Sequence, residues 1–214
     1  MELAITPRSE SFTVRIFVDS VSVAMGDARY AYHEAGHAVA AAVLGFPFRS
    51  SCIHVDHDGV GTALIVRPSR RCSDPFSELQ TSQTRMVIVL YAGLIAQKKA
   101  YPDSSNKSAA DDENRIEQYL RAIYRTQEAA KSVARSYLMQ EAGRLVDAYW
   151  CAITKLAESL WGKECTPVTE DWGTRLPLEK TVGASEISQV LGEWNISCLV
   201  DDGTCEDEPT TVAE

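Results

Sequence analysis

The sequence predicts a mainly α, α+β domain in which helices surround a small β-sheet or hairpin. Three observations predict it. Apolar residues recur at helical spacing in several long segments. The stretch "FRSSCIHVDHDGVGTALIVRP" places β-branched runs on both sides of Asp58-Gly59, the pattern of two short strands and a tight turn. The run "MVIVLYAGLIA", residues 86–96, is apolar on every side, as a helix buried at the centre of a bundle must be.

In chain order, "FTVRIFVDSVSVA" (12–24) partly alternates and predicts a strand within an N-terminal arm spanning 1–26. A helix is expected from Asp27, its N-cap, to Leu44, with Gly45 and Pro47 ending it. The hairpin around Asp58-Gly59 follows. Asp74-Pro75 opens a second helix that runs to Ala100, and "YPDSSNKS" is a loop by composition. A third helix starts near Ser108, which forms a capping box with Asp111. One long helix is expected over 128–161, with Leu138, Ala142, Leu145, Tyr149, Ile153, Leu156 and Leu160 as its buried stripe. Residues 166–180 read as irregular, and a short helix is expected over Ser185 to Leu191. The end, 194–214, carries "VDDGTCEDEPTTVAE", with six acids and no base, and is expected to be a disordered tail.

The totals narrow the function. A chain of 214 residues that is 45% hydrophobic buries a core without disulfides or a structural metal. A net charge of −9 argues against nucleic acid or an anionic membrane surface as the partner. The six cysteines form no Cys-x-x-Cys pair, and the N-terminus lacks a basic start followed by an apolar block. Reduced thiols and a cytoplasmic location are therefore expected. The run 86–96 falls short of the roughly 20 residues that span a bilayer, so no membrane insertion is expected.

The chemistry is concentrated in "AYHEAGHAVAAAVLGFP". His33 and His37, four apart on a helix, share one face and direct two imidazoles at one point. Glu34 projects beside them, placed to take a proton from a zinc-activated water. Paired histidines on a helix are otherwise surface or capped residues. This helix is almost wholly small and apolar, and burying two imidazoles and a carboxylate there is costly without a metal partner.

A catalytic zinc takes a third protein ligand. The remaining histidines, His54 and His57, lie in "HVDHDG" and read as a solvated hairpin tip. Asp112 is the better candidate. Helical steps from it reach Ile116, Tyr119, Leu120 and Ile123, whereas steps from Asp111 reach Arg115, Gln118 and Ala122. Asp112 therefore faces inward; a capping acid drawn by the helix dipole is the plainer alternative. Tyr30 and Tyr32 flank the site, where helix packing accounts for them as well as oxyanion binding does.

"HEAGHAVAAAVLG", "GVGTALIV", "VIVLYAGLIAQ" and "SAADDENRIEQ" occur in the order and rough spacing of the peptidase domain of FtsH-type ATP-dependent zinc proteases. The chain resembles that domain over about residues 28–192, and "LAESLWGKEC" and "ASEISQVL" are similar to its closing helices. The resemblance implies a peptidase domain over 27–193, mostly helical with a small sheet. It implies zinc on His33, His37 and Asp112, and Glu34 as catalytic base. Neither the family's ATPase module nor its transmembrane anchor is expected in these 214 residues. Where the family has Ala-Gly-Arg-x-Ala-Glu-Glu, this chain has Leu94, Gln97 and Lys98 in place of the arginine and the two acids.

The expectation is a zinc metalloendopeptidase acting without its own ATPase on peptides or unfolded proteins. Val60, Gly61, Thr62, Ala63 and Leu64 would offer a strand for an extended substrate to pair with. A homo-oligomer or a separate ATPase partner fits the same resemblance. The alternative is a zinc-containing peptide-binding module that is catalytically weak or inactive.

Overall fold

Why the chain folds around its histidine helix is visible in that helix itself. Helix α1 (Arg29–Val43) is almost entirely small and apolar, and nearly all of it is buried. It starts at Ala28, whose carbonyl accepts from the N–H groups of Ala31 and Tyr32, with no side-chain cap. The Asp27 cap expected from sequence lies outside the described residues. At the other end Gly45 takes φ 77°, and Phe46 N–H donates to Ala41 O at 2.8 Å while Gly45 N–H donates to Ala42 O. That is a Schellman closure, which needs a residue at ease in the left-handed region. The computed structural model describes residues 28–46, 48–55, 61–65, 76–103, 109–163, 166–167 and 178–197. The expected N-terminal arm falls outside them, as do Ser108, Val60 and the tail from 198 onward.

The predominance of helix predicted from sequence is what the structure has, with α1 followed by five further helices among the described residues. Helix α2 (Phe76–Ala100) packs against α1, and α3 (Ala109–Tyr124) and α4 (Glu128–Ala148) pack against α2. Helix α5 (Trp150–Gly162) returns to α1, and α6 (Ala184–Gly192) lies on α5 and the sheet. Among the described residues no helix is long and apolar enough to cross a membrane.

Among the described residues the sheet has four antiparallel strands: β1 (Phe48–Val55), β2 (Gly61–Ile65), β3 (Thr166–Pro167) and β4 (Leu178–Gly183), in the order β2-β1-β4-β3. The expected hairpin is β1 with β2, in a register that pairs Cys52 with Thr62 and Ile53 with Gly61. Both strands lie against α1. On β4, Lys180 and Val182 are buried while Thr181 between them is exposed, the alternation of a strand with one covered face. Lys180 buries its ammonium under the Trp161 ring, 4.1 Å from the centroid, and donates to Trp161 O at the end of α5.

Three expectations need correction. The single helix over 128–161 is broken at Tyr149 (φ −112°, ψ 23°) into α4 and α5. The break lets α4 stay on α2 while α5 turns onto α1. The 166–180 stretch is not wholly irregular, because β3 and the start of β4 lie in it and extend the sheet. The ordered body also runs past residue 193: Trp194 packs on the core and Ile196 is buried in it.

Candidate metal centre

The site forms where α1 crosses α2 and the first turn of α3 closes over the crossing. The crossing is tight because it is made of glycine. A Cβ on Gly36 would stand 2.7 Å from Ala92 O and 2.9 Å from Gly93 Cα. A Cβ on Gly93 would stand 2.3 Å from His37 Cε1 and 2.6 Å from both ring nitrogens. The His37 imidazole therefore lies flat in the space a side chain at 93 would fill.

Each imidazole is held by its outer nitrogen. His33 Nδ1–H donates to Gln97 Oε1 at 3.0 Å, and His37 Nδ1–H donates to the Val89 carbonyl at 2.9 Å, both on α2. With Nδ1 carrying the hydrogen, each ring when neutral presents a bare Nε2 lone pair inward. The two rings meet edge-on at 86°, and their Nε2 atoms lie 3.0 Å apart. Asp112 Oδ2 stands 2.9 Å from His33 Nε2 and 3.1 Å from His37 Nε2.

Three acceptors at mutual distances of 2.9–3.1 Å repel one another unless a cation lies among them. Zinc bonds of about 2.0–2.1 Å at tetrahedral angles imply ligand separations of roughly 3.3 Å, slightly wider than this triangle. Donor types, tautomers and spacing all fit zinc: two imidazole Nε2 atoms, one carboxylate oxygen, and outer nitrogens already anchored. Among the described residues these three form the group of His, Cys, Asp and Glu side chains placed to hold a metal ion.

The electrostatics tell the same story in protons. Burial works against a charge on His37, yet the Asp112 carboxylate, its hydrogen bond and nearby Glu34 lift the imidazole to about 9. Burial and the charge of His37 together push His33 down. Asp112 would be raised by burial, but the charge of His37 and hydrogen bonding to the imidazoles beside it hold it well below the usual carboxylate range. In the metal-free fold these shifts favour a proton on His37, whose charge then does part of the work of a cation.

Glu34 is buried, and its Oε2 has no hydrogen-bond partner among the described residues. Burial drives its carboxyl up to about 8, opposed by the charge of His37, reinforced by Asp112 and opposed again by Arg115. A buried carboxylate oxygen left without a partner beside this triangle calls for a ligand or an ordered water to satisfy it.

The expected residues converge in part. His33, Glu34, His37 and Asp112 come together, with Asp112 buried on the Ile116–Leu120 side of α3 and Asp111 exposed. Gly61, Thr62, Ala63 and Leu64 lie in β2; Val60 is outside the described residues. His54 is in β1, its backbone opposite Glu179 of β4, rather than at a hairpin tip; His57 lies outside the described residues. Tyr32 stacks on Trp150 at 5.7 Å and meets Tyr101 edge-on at 5.9 Å, so packing accounts for it. Sequence reasoning missed the roles of Gln97, the Val89 carbonyl, Gly36 and Gly93. The Ala-Gly pair at 92–93 was the available signal for a close helix approach. A scan of protein-family models and a search of curated proteins return no match to this chain.

Proposed function

We propose that this chain is a zinc metallopeptidase that hydrolyses peptide bonds in peptides or unfolded proteins. The observation that carries the reading is the convergence of His33 Nε2, His37 Nε2 and Asp112 Oδ2, with Glu34, whose Oε2 has no partner among the described residues, one residue along the same helix. His33, His37 and Asp112 would hold the ion. Zinc, when bound, supplies Lewis acidity that activates water near neutral pH and polarises a substrate carbonyl.

Glu34 takes a proton from the attacking water and delivers it to the leaving nitrogen. Its Oε2 has no partner among the described residues, and added positive charge beside it would return the carboxyl to its ionised form. Gln97 and the Val89 carbonyl fix the imidazole orientations, and Gly93 keeps room for the His37 ring. Strand β2 stands last in the strand order, so Gly61–Leu64 would offer an edge to which an extended substrate adds.

Elemental zinc analysis and casein cleavage on wild type, Asp112→Ala and Glu34→Gln test this reading. Expected are one zinc and cleavage in wild type, loss of zinc in Asp112→Ala, and zinc without cleavage in Glu34→Gln. Full activity in Glu34→Gln would sink the mechanism. Neutral Gln97, where the resembled family carries an acid, favours a second reading: a zinc-stabilised peptide-binding module of low turnover. Zinc and peptide binding without any cleavage that depends on Glu34 would select it.

A further inference from the structure

Between α2, the end of α3 and the first turns of α4 lies an open groove of about 540 Å³, lined by Thr84, Tyr124, Ala130, Val133, Ala134 and Tyr137. It shares no residue with the metal centre. Val133 is 72% exposed and Tyr137 57%, four apart on one face of α4, so two bulky apolar side chains border the groove in water. Apolar groups gathered around a concavity, rather than scattered singly, mark a binding surface. Along α4 the lining runs from Ala129 to Leu138, about 13 Å at the rise of a helix. Over that length a docking helix sets down apolar anchors at i, i+4 and i+7.

The charge around the groove is opposite in sign to that of the molecule. The whole chain carries −9, yet residues 117–135 hold four bases, Arg121, Arg125, Lys131 and Arg135, against two acids, Glu117 and Glu128. Both acids are already engaged, Glu117 by Arg121, Lys131 and Arg135, and Glu128 by Lys131. Arg125 beside Tyr124 and Arg85 beside Thr84 are exposed, and neither has a carboxylate partner among the described residues. Arg125 takes φ 46°, a conformation glycine adopts more readily, so a cation stands there against the backbone's own preference.

We propose that this groove docks an amphipathic helix of a partner protein whose apolar stripe is bordered by acidic residues. The apolar lining takes the stripe, and Arg85 and Arg125 meet the acids. The chain's own ends supply one of these properties each. Residues 12–24 are apolar but balanced in charge, with Arg15 and Asp19; residues 200–214 have six acids but few bulky apolar side chains, and Pro209 interrupts them. The proposal stands whether or not the metal centre cleaves peptides.

The test is fluorescence anisotropy on the full-length protein with three fluorescein-labelled helical peptides of equal length. Two carry leucines at i, i+4 and i+7, flanked in one by glutamates and in the other by lysines; the third scrambles the glutamate peptide. The glutamate peptide is expected to bind about tenfold more tightly than either of the others at low salt, with the gap narrowing as salt rises. Val133→Ser with Tyr137→Ser should weaken its binding about tenfold. Met139→Ser, at another exposed apolar position of α4 outside the groove lining, should leave binding unchanged. Arg85→Glu with Arg125→Glu should turn the preference to the lysine peptide, and circular dichroism checks that each variant keeps its helices. No binding, equal binding of all three peptides, or a preference that survives the groove and arginine changes overturns the proposal. So does a dimer in sedimentation that Val133→Ser with Tyr137→Ser dissolves, since a second copy would then fill the groove. Binding that appears only after removal of residues 198–214 overturns it in favour of the chain's own acidic end.

Discussion

At the scale of single residues, the site depends as much on a missing side chain as on those present. Gly93→Ala would set a methyl carbon inside the His37 ring. Alanine is the better helix former, so α2 itself should not suffer. The expected result is a zinc affinity weakened about 10–100-fold, the range seen when support for a ligand is disturbed, with helical content retained. Chelator competition and circular dichroism check the two halves of that statement. Gly143→Ala in α4 is the control: nothing lies within 4 Å of its would-be Cβ. It should leave zinc affinity alone and raise stability by up to about 1 kcal/mol. His33, Glu34, His37 and Asp112 were legible in the sequence because helical spacing converts directly into shared faces. Gln97 and Val89 were not. A backbone carbonyl leaves no mark in a sequence, and the amide at 97 gains its meaning only once α2 lies across α1.

At the scale of elements, the α1–α2 crossing organises the rest. Gly36→Ala would force Ala92 O and the Gly93 backbone aside rather than a flexible side chain. A loss of about 1–3 kcal/mol is expected, the usual cost of overpacking, and denaturant midpoints measure it. An unchanged midpoint would mean the helices sit farther apart than described. The extents of α1, α2, α3 and α6 were readable to within a few residues, since each has an apolar face and a break in pattern at its ends. The break at Tyr149 was not readable. The stripe Leu138–Ala142–Val146 hands over to Ile153–Leu156–Leu160 without a glycine or proline between them, and only the change of partner from α2 to α1 calls for a turn. Strands β3 and β4 escaped for a related reason: they are short, and β1, on which β4 pairs and through β4 also β3 is anchored, lies far away in sequence.

At the scale of the whole molecule, the titrating groups of the site tie its chemistry to its stability. His37 is raised from 6.5 to about 9 and Glu34 from 4.5 to about 8 in the metal-free fold. A group whose folded value lies above its unfolded value contributes stability that is complete below the unfolded value and fades as pH rises through the folded one. Metal-free protein should therefore melt at a lower temperature at pH 9.5 than at pH 6.5. Zinc should reverse the trend, because binding displaces the proton held by His37 and is favoured as pH rises. Thermal melts with and without zinc across that range decide it; parallel curves would mean the histidines carry no proton for the metal to displace.

The lysine beneath Trp161 has a consequence for how the molecule opens. Helix α5 has no basic residue in its own last turn, and the partial negative charge at its end is met instead by Lys180, supplied by the sheet. Freeing that end of α5 would strand a buried ammonium, and freeing β4 would take from the Trp161 carbonyl its charged donor. Neither can fray alone at low cost. Amide protons of β4 and of the final turn of α5 should exchange with deuterium at a common rate, as one cooperative unit, and Lys180→Met should let them exchange independently.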